Sequence, residues 1–386
     1  METFLGYRRP DGSCGVRNHV VVISAVSCAN TVVQQIERAV PGVIGITHEH
    51  GCSQVGADLQ QTADTLAGIG RNPNVFAALV ISLGCEGLPS ADVAGRIAAT
   101  GKPTEMITIQ EVGGTTNAVE AGKRIARRFL RQSREVQREP CPVSSLIVGL
   151  ECGGSDSWSG ITANPALGYA SDLLVAVGGT ALLGETSEFI GAEHLINRPG
   201  SSPEAVDKLL AAIYAFENEV RRQGVDPRGA QPTPGNMAGG LTTIEEKALG
   251  AVLKGGTTPL QEFVGYAQPP TKHGLVVMDT PGNDITSLAG EAAGGAQIIV
   301  FTTGRGSPAG FAICPVIKVA TNSEMFRRMA ENMDIDAGTI ISAGESLPSV
   351  GQRIFDEILA VANGKLTRSE ILGHREFAIY RIGLTF

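Results

Sequence analysis

The sequence lacks the features of several large classes of protein. No apolar run approaches the roughly 18–20 residues that cross a bilayer, and the N-terminal METFLGYRRPDG has no apolar segment of the kind found in secretion signals. The net charge is −8, and no basic stripe provides a footprint for phosphate groups. We therefore expect a cytoplasmic protein that binds neither membranes nor nucleic acid.

Local motifs for nucleotides and metals are missing as well. The glycine-rich segment at 304–310 has the wrong third spacing for a dinucleotide-binding fingerprint, and Gly101-Lys102 is followed by Pro103 instead of the Ser or Thr of a phosphate-binding loop. The seven cysteines contain no C-x-x-C pair, which argues against zinc ribbons and thioredoxin-like sites. Any metal site must therefore be assembled in space from distant parts of the chain.

What the chain does contain predicts an α/β protein. Its 386 residues favour two or three domains, and 42% hydrophobic with 18% charged residues is typical of a well-buried globular protein. Apolar β-branched runs alternate with helical stretches, which is the pattern of largely parallel sheets. We predict a Rossmann-like first domain over 1–138 and a larger α/β C-terminal domain over 139–386, with the active site between them.

The individual elements follow from these runs. In the first half we predict strands over 19–27, 43–48, 75–84 and 104–110, and helices over 30–40, 57–70, 89–100 and 114–135. In the second half we predict strands over 144–151, 180–184, 274–279, 296–303 and 315–320, and helices over 166–176, 203–222, 323–332, 349–363 and 367–373. The region 226–273 reads as loop-rich apart from a short helix over 244–253.

Four cysteines each lie where an apolar, strand-like run stops: Cys28, Cys52, Cys85 and Cys152. A single cysteine is usually a small apolar core residue, but packing gives no reason to prefer strand ends four times. Ligands of open α/β sheets bind outside the carboxyl ends of the strands, so these thiols can converge on one crevice as a soft-metal site.

Polar residues near the same strand ends are candidates for catalysis and substrate binding. His48 and His50 share one face of an extended segment and can act as ligands or proton shuttles. Carboxylates in apolar or glycine-rich settings suit general acid–base catalysis, and four are present: Glu86, Asp156, Glu185 and Glu188. For any one of them alone, an ion pair or a helix cap is at least as good an explanation. Groups suited to binding substrate hydroxyls or carboxylates are Ser155, Asn164, Asn236, Lys247 and Arg305, the last of these also a candidate in catalysis.

Long motifs that occur in order carry a resemblance to a known family. GYRRPDGSCGVRNH, HEHGCSQ, LGCE, ECGGSDSWSGITANPALG, GETSEFIGAEHL, TPGNMAGGLTTIEEKALGAVLKGGTT, MDTPGND and FTTGRGSPAG resemble the galactarate dehydratase/altronate dehydratase family. The resemblance runs from about residue 5 to the C-terminus. The four strand-end cysteines all fall at cysteines of the family pattern.

The resemblance implies an iron-dependent hydro-lyase that removes water from a sugar acid to give a 2-keto-3-deoxy acid. The iron is either Fe²⁺ or a thiolate-bound iron–sulfur cluster, and the sequence leaves both open. Single-chain members of the family carry a small extra domain before the region that matches here. We therefore expect a large subunit that works with a separate small subunit in an oligomer.

Two alternatives remain at this point. The same family includes sulfolactate sulfo-lyase, which eliminates sulfite instead of water, and the sequence does not distinguish the two leaving groups. An alternative from another class is an iron–sulfur or metal-binding protein that transfers electrons without a substrate. The polar loops with Asn164, Asn236 and Arg305 speak against it, because an electron carrier needs no such pocket.

Overall fold

The computed structural model describes residues 2–386 and contains three sheets with helices between them. The strands are β1 (Thr3–Arg8), β2 (Cys14–Gly15), β3 (His19–Ser24), β4 (Val43–Ile46), β5 (Val75–Ser82), β6 (Thr104–Thr108), β7 (Glu139–Pro142), β8 (Ile147–Cys152), β9 (Thr180–Leu183), β10 (Leu260–Val264), β11 (Gly274–Met278), β12 (Ile298–Thr303), β13 (Val316–Ala320) and β14 (Ile335–Asp336).

The α-helices connect these strands along most of the chain. They are α1 (Asn30–Ala39), α2 (Gly56–Arg71), α3 (Ser90–Ala98), α4 (Thr115–Glu135), α5 (Ala163–Ala176), α6 (Pro203–Arg222), α7 (Pro227–Ala230), α8 (Pro234–Ala238), α9 (Ile244–Ala251), α10 (Asp284–Ala293), α11 (Ser323–Arg328), α12 (Thr339–Ser342), α13 (Leu347–Ala362) and α14 (Arg368–Leu372). Short 3₁₀ helices include Ser27–Ala29, Thr186–Phe189 and Val252–Gly255.

The first sheet is parallel, with strand order β4-β3-β5-β6. Side chains of β3 alternate between its faces: Val20 and Val22 pack with α1 and α4, and Val21 and Ile23 pack with α2 and α3. Because both faces are covered, β3 is a nearly continuous apolar run. The predicted α/β class with largely parallel sheets is confirmed.

The second sheet is larger and also parallel, with strand order β10-β11-β9-β8-β12-β13-β14. Helices α5 and α13 cover one face, and α10 lies on the other, where it packs against α2, a helix of the first sheet.

Each of the two parallel sheets has a switch point, where the order of successive strands changes direction. The chain leaves β3 toward β4 but leaves β5 toward β6, so the carboxyl ends of β3 and β5 border a crevice. The ends of β8 and β12 border a second one, because β8 leads to β9 on one side and β12 leads to β13 on the other. Ligands of open α/β sheets bind at such switch points.

Some elements differ from the sequence-based expectation. The polar segment near residue 139 forms β7, which pairs antiparallel with β1, and the loop-rich region contains β10, α7 and α8. Helix α10 was missed because it is buried on nearly all sides and has no apolar stripe. The boundary predicted after residue 138 falls between α4 and β7 and stays a prediction. Among residues 2–386, no helix combines the length and the apolar character needed to span a membrane.

Candidate active site

A buried cluster of charged groups lies at the carboxyl ends of β8 and β9. Cys152 is the last residue of β8, and Glu185 follows β9 in the left-handed region at φ 66°. The ammonium of Lys254 lies between them, with Nζ 2.9 Å from Cys152 Sγ and 2.7 Å from Glu185 Oε2. Lys254 and Glu185 are each only 1% exposed. The left-handed backbone of Glu185 is strained, and strain of this kind in a residue other than glycine is typical of functional sites.

Glu188 and Lys247 extend this cluster. The thiol of Cys152 donates to Glu188 Oε2 at 3.1 Å, and Lys247 Nζ lies 2.9 Å from Glu188 Oε1. The cluster thus pairs the two ammonium groups of Lys247 and Lys254 with the carboxyl groups of Glu185 and Glu188 and one thiol. Buried charges are tolerated when they are balanced and hydrogen-bonded in this way.

The surroundings shift the pKa of each member. Burial, together with the neighbouring Glu188, raises the pKa of Glu185 to about 7 although Lys254 opposes it. Burial and Glu188 also raise the pKa of the Cys152 thiol. Burial disfavours the charge on Glu188, but Lys247 and Lys254 outweigh it and lower its pKa. The thiol therefore holds its proton at neutral pH, and Glu188 is ionised.

A second layer of buried acids supports the first. The N–H of Glu185 donates to Thr280 Oγ1 at 2.6 Å, that hydroxyl lies 2.6 Å from Ser287 Oγ, and Ser287 donates to Glu151. Burial and the nearby Glu185 and Glu291 raise the pKa of Glu151. Burial therefore favours the protonated, uncharged form of Glu151 behind Glu185.

Cys152, Glu185 and Glu188 are also a group of donors that could bind a metal ion. One ligand atom from each lies within 4.8 Å of the other two, and all three are buried. The Lys254 ammonium, however, lies within hydrogen-bond distance of two of the three and 3.8 Å from Glu188 Oε2. A cation already balances these donors, so they fit a metal ion only if Lys254 moves away.

Clefts reach this cluster from more than one side. A cleft of about 230 Å³ is lined by Cys152, Ser155 and Lys247, and one of about 130 Å³ is lined by Lys247 and Glu188. A larger cleft of about 620 Å³ includes Thr280 and residues of both predicted domains. The expectation that the active site lies between the domains stays a prediction.

Several predicted polar residues shape the walls of the Cys152 cleft. Asp156 accepts from Ser159 and from Thr321, so both its oxygens are used within the fold. Asn164 accepts from Thr302 and donates to the carbonyl of Gly250.

Ser155 and Asn236 are joined, because the Asn236 amide donates to the Ser155 carbonyl at 2.9 Å. The Ser155 hydroxyl lies 3.8 Å from Cys152 Sγ. Arg305 follows β12, on the other side of the switch point from Cys152. Its N–H donates to the carbonyl of Gly154, and its side chain is exposed. Of the predicted substrate-binding residues, Ser155 and Lys247 are thus brought nearest to the buried cluster.

The residues predicted near the ends of β4 and β5 have hydrogen-bond partners of their own. His48 is buried, with Nε2 2.7 Å from the Ser24 carbonyl and Nδ1 accepting the His50 N–H at 3.0 Å. Both ring nitrogens therefore serve the fold. His50 Nε2 lies 3.3 Å from the Ile379 carbonyl.

Glu86 is held as an ionised carboxylate. Partial burial opposes its charge, but hydrogen bonds from Ser82, Ser90 and the Gly84 N–H outweigh burial and lower the pKa of Glu86 to about 2. Such a carboxylate is a poor proton acceptor at neutral pH.

The four predicted metal-binding thiols have different surroundings. Cys28, Cys52 and Cys85 are exposed, whereas Cys152 is buried. They do not form one set of ligand atoms within 4.8 Å of one another in the part of the chain that the structure describes.

Two buried charged residues at this site were not predicted from the sequence, Lys254 in the cluster and Glu291 behind it. Lys254 lies in the run AVLKGG, where a single lysine inside apolar and small residues is a signal that could have been used. Glu291 lies in the similar run AGEAAGG, and its carboxylate accepts the Leu150 N–H at the back of the site.

Comparison with known families and proteins confirms the resemblance carried by the motifs. Residues 143–385 match the family "D-galactarate/Altronate dehydratase, C-terminal", and residues 6–134 match "D-galactarate dehydratase/Altronate hydrolase, second domain". The chain is 39% identical to the (2R)-sulfolactate sulfo-lyase subunit beta of Chromohalobacter salexigens, over 98% of this chain and 97% of that one.

Two dehydratases are similarly related. The altronate dehydratase of Bacillus subtilis is 34% identical over 99% of this chain and 78% of its own length. The galactarate dehydratase (L-threo-forming) of Escherichia coli is 39% identical over 98% of this chain and 76% of its own length. Both dehydratases are thus longer than the region they share with this chain.

Proposed function

The chain belongs to the D-galactarate/altronate dehydratase family and is an enzyme of the lyase class, and from that premise we propose that it dehydrates a sugar acid. The reaction breaks the C–H bond next to the carboxylate and the C–O bond of the neighbouring carbon. Water leaves, and the resulting enol becomes a 2-keto-3-deoxy acid. The observation that supports this proposal is the Lys254 ammonium held between the thiol of Cys152 and the carboxylate of Glu185.

Within this site we assign proton transfer to Cys152. Its thiol lines the cleft, and the Lys254 ammonium joins it to Glu185, whose pKa of about 7 lets that carboxylate accept the thiol's proton by way of Lys254. The thiolate then takes the proton next to the substrate carboxylate, and the adjacent Lys254 ammonium balances the charge. Lys247, which lines the same cleft, offers positive charge to the substrate carboxylate.

The proposal includes iron and a separate small subunit. Iron, when bound, supplies a Lewis acid for the departing hydroxyl. The relative that matches over 97% of its length is itself named as a subunit, which supports a partner chain.

A second candidate is the elimination of sulfite from a sulfolactate. It is favoured by that same match, because the dehydratases share only 76–78% of their length with this chain. The proton next to the carboxylate is removed in the same way, and only the bond to the leaving group differs.

The test is an anaerobic assay of this chain, alone and with a candidate small subunit, on galactarate, altronate and (2R)-sulfolactate. We expect a 2-keto acid from one of the sugar acids. Sulfite release from sulfolactate, with no product from either sugar acid, would replace the first candidate by the second. No turnover of any hydroxy acid by iron-loaded protein would contradict both.

The site assignment is tested with Lys254→Met. We expect about a 10²–10⁴-fold loss of kcat, the usual contribution of acid–base and electrostatic groups. Lys208→Met is the matched control, because Lys208 forms an exposed pair with Glu204. A folded Lys254→Met variant with unchanged kcat would exclude the assignment.

A further inference from the structure

We propose that residues 225–240 form a strap that closes over the two clefts that meet at Lys247, and that Gln231 and Asn236 are positioning residues through which the strap acts on the catalytic site. The inference rests on the proposed function, because it needs Lys247 to receive the carboxylate of an organic acid. It concerns how the clefts close around that acid and does not depend on which group leaves.

The strap has little anchoring in the apolar core. Over residues 2–386, none of the apolar clusters contains a side chain from 225–240. Most strap residues are exposed, and the buried ones are Pro227, Pro232 and Asn236. Its regular structure consists of the short helices α7 and α8, of four and five residues. A segment with so few buried apolar contacts opens at a lower free-energy cost than the core.

Glycines with positive φ lie at both ends of the strap. Gly224 precedes it with a φ of 80°, and Gly240 is its last residue with a φ of 95°. Within residues 2–386, no atom lies within 4 Å of a Cβ at Gly224, so the chain can turn there without meeting other groups. The hinges of moving loops are a few terminal residues that absorb the backbone change, and these glycines suit that role.

The space beneath the strap is only partly filled. The cleft of about 130 Å³ is bounded on one side by Pro227, Ala230 and Gln231 of the strap, and on the other by α6 and α9. Protein interiors contain few voids larger than a water molecule. The strap is therefore not packed into a final closed position, and movement toward α9 would narrow this cleft.

One contact joins the strap to the group proposed to bind the substrate carboxylate. Lys247 Nζ donates to Gln231 Oε1 at 3.3 Å and lies 2.9 Å from Glu188 Oε1. The bond to Gln231 is long, and hydrogen bonds of an empty site often tighten only when the ligand is bound. Because Lys247 lines both clefts, a carboxylate bound to it lies beside the strap.

A second contact joins the strap to the loop after Cys152. The Asn236 side chain is oriented within the strap, because its Oδ1 accepts from Thr233 Oγ1 at 2.8 Å. Its amide donates to the Ser155 carbonyl at 2.9 Å. The Ser155 hydroxyl in turn lies 3.8 Å from Cys152 Sγ. Movement of the strap is therefore transmitted to the residues next to the proposed catalytic thiol.

A further attachment is an ion pair at the surface. Arg228 of the strap lies 2.5 Å from Glu245 Oε1 of α9, and 45% and 42% of the two side chains are exposed. Exposed pairs contribute little to stability and are screened by salt, so this contact can break and form again. The strap is thus held by contacts that open easily and that reach both Lys247 and Ser155.

Closure of the strap excludes water from the bound acid. With water excluded, the charges of Lys247 and Lys254 act more strongly on the substrate carboxylate and on the negative charge that develops next to it. An acid that binds the closed form more tightly than the open form shifts the strap toward closure by that difference in affinity. The strap therefore couples binding at Lys247 to the geometry around Cys152.

Hydrogen exchange of the full chain, followed by mass spectrometry, tests the motion. In the free protein we expect the amides of 225–240 to exchange at least about tenfold faster than those of α6 and α9. Galactarate, altronate or (2R)-sulfolactate, whichever is turned over, should slow exchange in the strap several-fold and leave exchange in α1 unchanged. Asn236→Ala should speed exchange of the strap in the free chain.

Equal protection of the strap, α6 and α9 in the free protein would overturn the proposal. So would strap exchange rates that stay the same in the presence of an acid that is turned over. If none of the three acids is turned over, the proposed function fails, whereas the strap inference then stands or falls on the exchange rates of the free chain and of Asn236→Ala.

Gln231→Met tests the positioning role, because it keeps the length of the side chain and removes the acceptor for Lys247. We expect KM to rise about 3–10-fold, with a smaller change in kcat, because the lost bond holds the group that binds the substrate carboxylate. Gln223→Met is the matched control, since Gln223 precedes the strap, is exposed and donates to Glu219. Equal KM values for the wild type and a folded Gln231→Met variant would exclude the positioning role.

Discussion

A single neutral imidazole ties the loop after β4 to the loop after β3. His48 Nε2 donates to the Ser24 carbonyl, and its Nδ1 accepts the His50 N–H, so the ring is held in one tautomer. Burial is the main cause that lowers the pKa of His48 to about 4. Adding a proton to Nδ1 would also remove the acceptor of the His50 N–H.

We expect this histidine to make stability depend on pH. Its pKa is below the ordinary 6.5, so the unfolded chain binds the proton first and stability falls as pH falls from 6.5 toward 4. The free energy of unfolding should drop by about 2 kcal/mol between pH 7 and pH 5 from this group alone. Urea unfolding of the wild type and of His48→Gln, which keeps a donor and an acceptor, measures this effect. Parallel pH dependences of the two proteins would show that His48 is not responsible.

At the scale of elements, the contact between α5 and the turn at Val252–Gly255 positions Lys254. Gly168 of α5 faces this turn so closely that a Cβ would clash with the Leu253 carbonyl and lie 3.1 Å from Gly256 Cα. Because Lys254 follows Leu253 directly, any displacement of the turn moves its ammonium away from Cys152 and Glu185.

Gly168→Ala should therefore reduce both stability and activity. Overpacking at this contact should cost about 1–3 kcal/mol of the free energy of unfolding, and a shift of the lysine should lower kcat at least about tenfold. Gly95→Ala in α3 is the matched control, because no atom lies within 4 Å of a Cβ at that position. The control should be neutral or slightly stabilising. If both variants behave alike in thermal melts and in the activity assay, the close contact does not position Lys254.

At the scale of the whole molecule, the two predicted domains share a core. Helix α2 packs against α10 in one apolar cluster. The buried amide of Asn74 donates to the carbonyls of Gln297 at 2.8 Å and Ile313 at 2.9 Å. In addition, β1 pairs with β7, and Arg17 binds Glu370 at 2.7 Å. Contacts of this kind make each part dependent on the other.

We expect the chain to unfold in one cooperative transition. Fluorescence of Trp158, which lies in the second domain, and far-UV circular dichroism of the whole chain should give the same thermal midpoint. Asn74→Ala should lower both midpoints together, because buried carbonyls lose their donor at a cost of about 1–3 kcal/mol. Two separate midpoints would show that the domains unfold independently.

The residue types and their order were enough to predict most elements and the family. Strands buried on both faces, such as β3 and β12, are continuous apolar runs, and capped amphipathic helices such as α6 show their ends in the sequence. Helix α10 was missed because it is buried on nearly all sides and so has no periodic pattern of apolar residues. Strand β10 was missed because it lies in a glycine- and proline-rich region.

The sequence by itself determined the α/β class, the strand ends at which cysteines and carboxylates lie, and the candidates Cys152, Glu185 and Lys247. Only the tertiary structure decided that Lys254, 102 positions after Cys152, lies beside its thiol, and that the other three strand-end thiols are exposed in the first domain. The physical reason is that side-chain periodicity records which face of an element is buried, whereas the order of strands in a sheet records which distant residues meet. Strand β8 lies between β9 and β12, and no local sequence pattern shows that these three strands are neighbours.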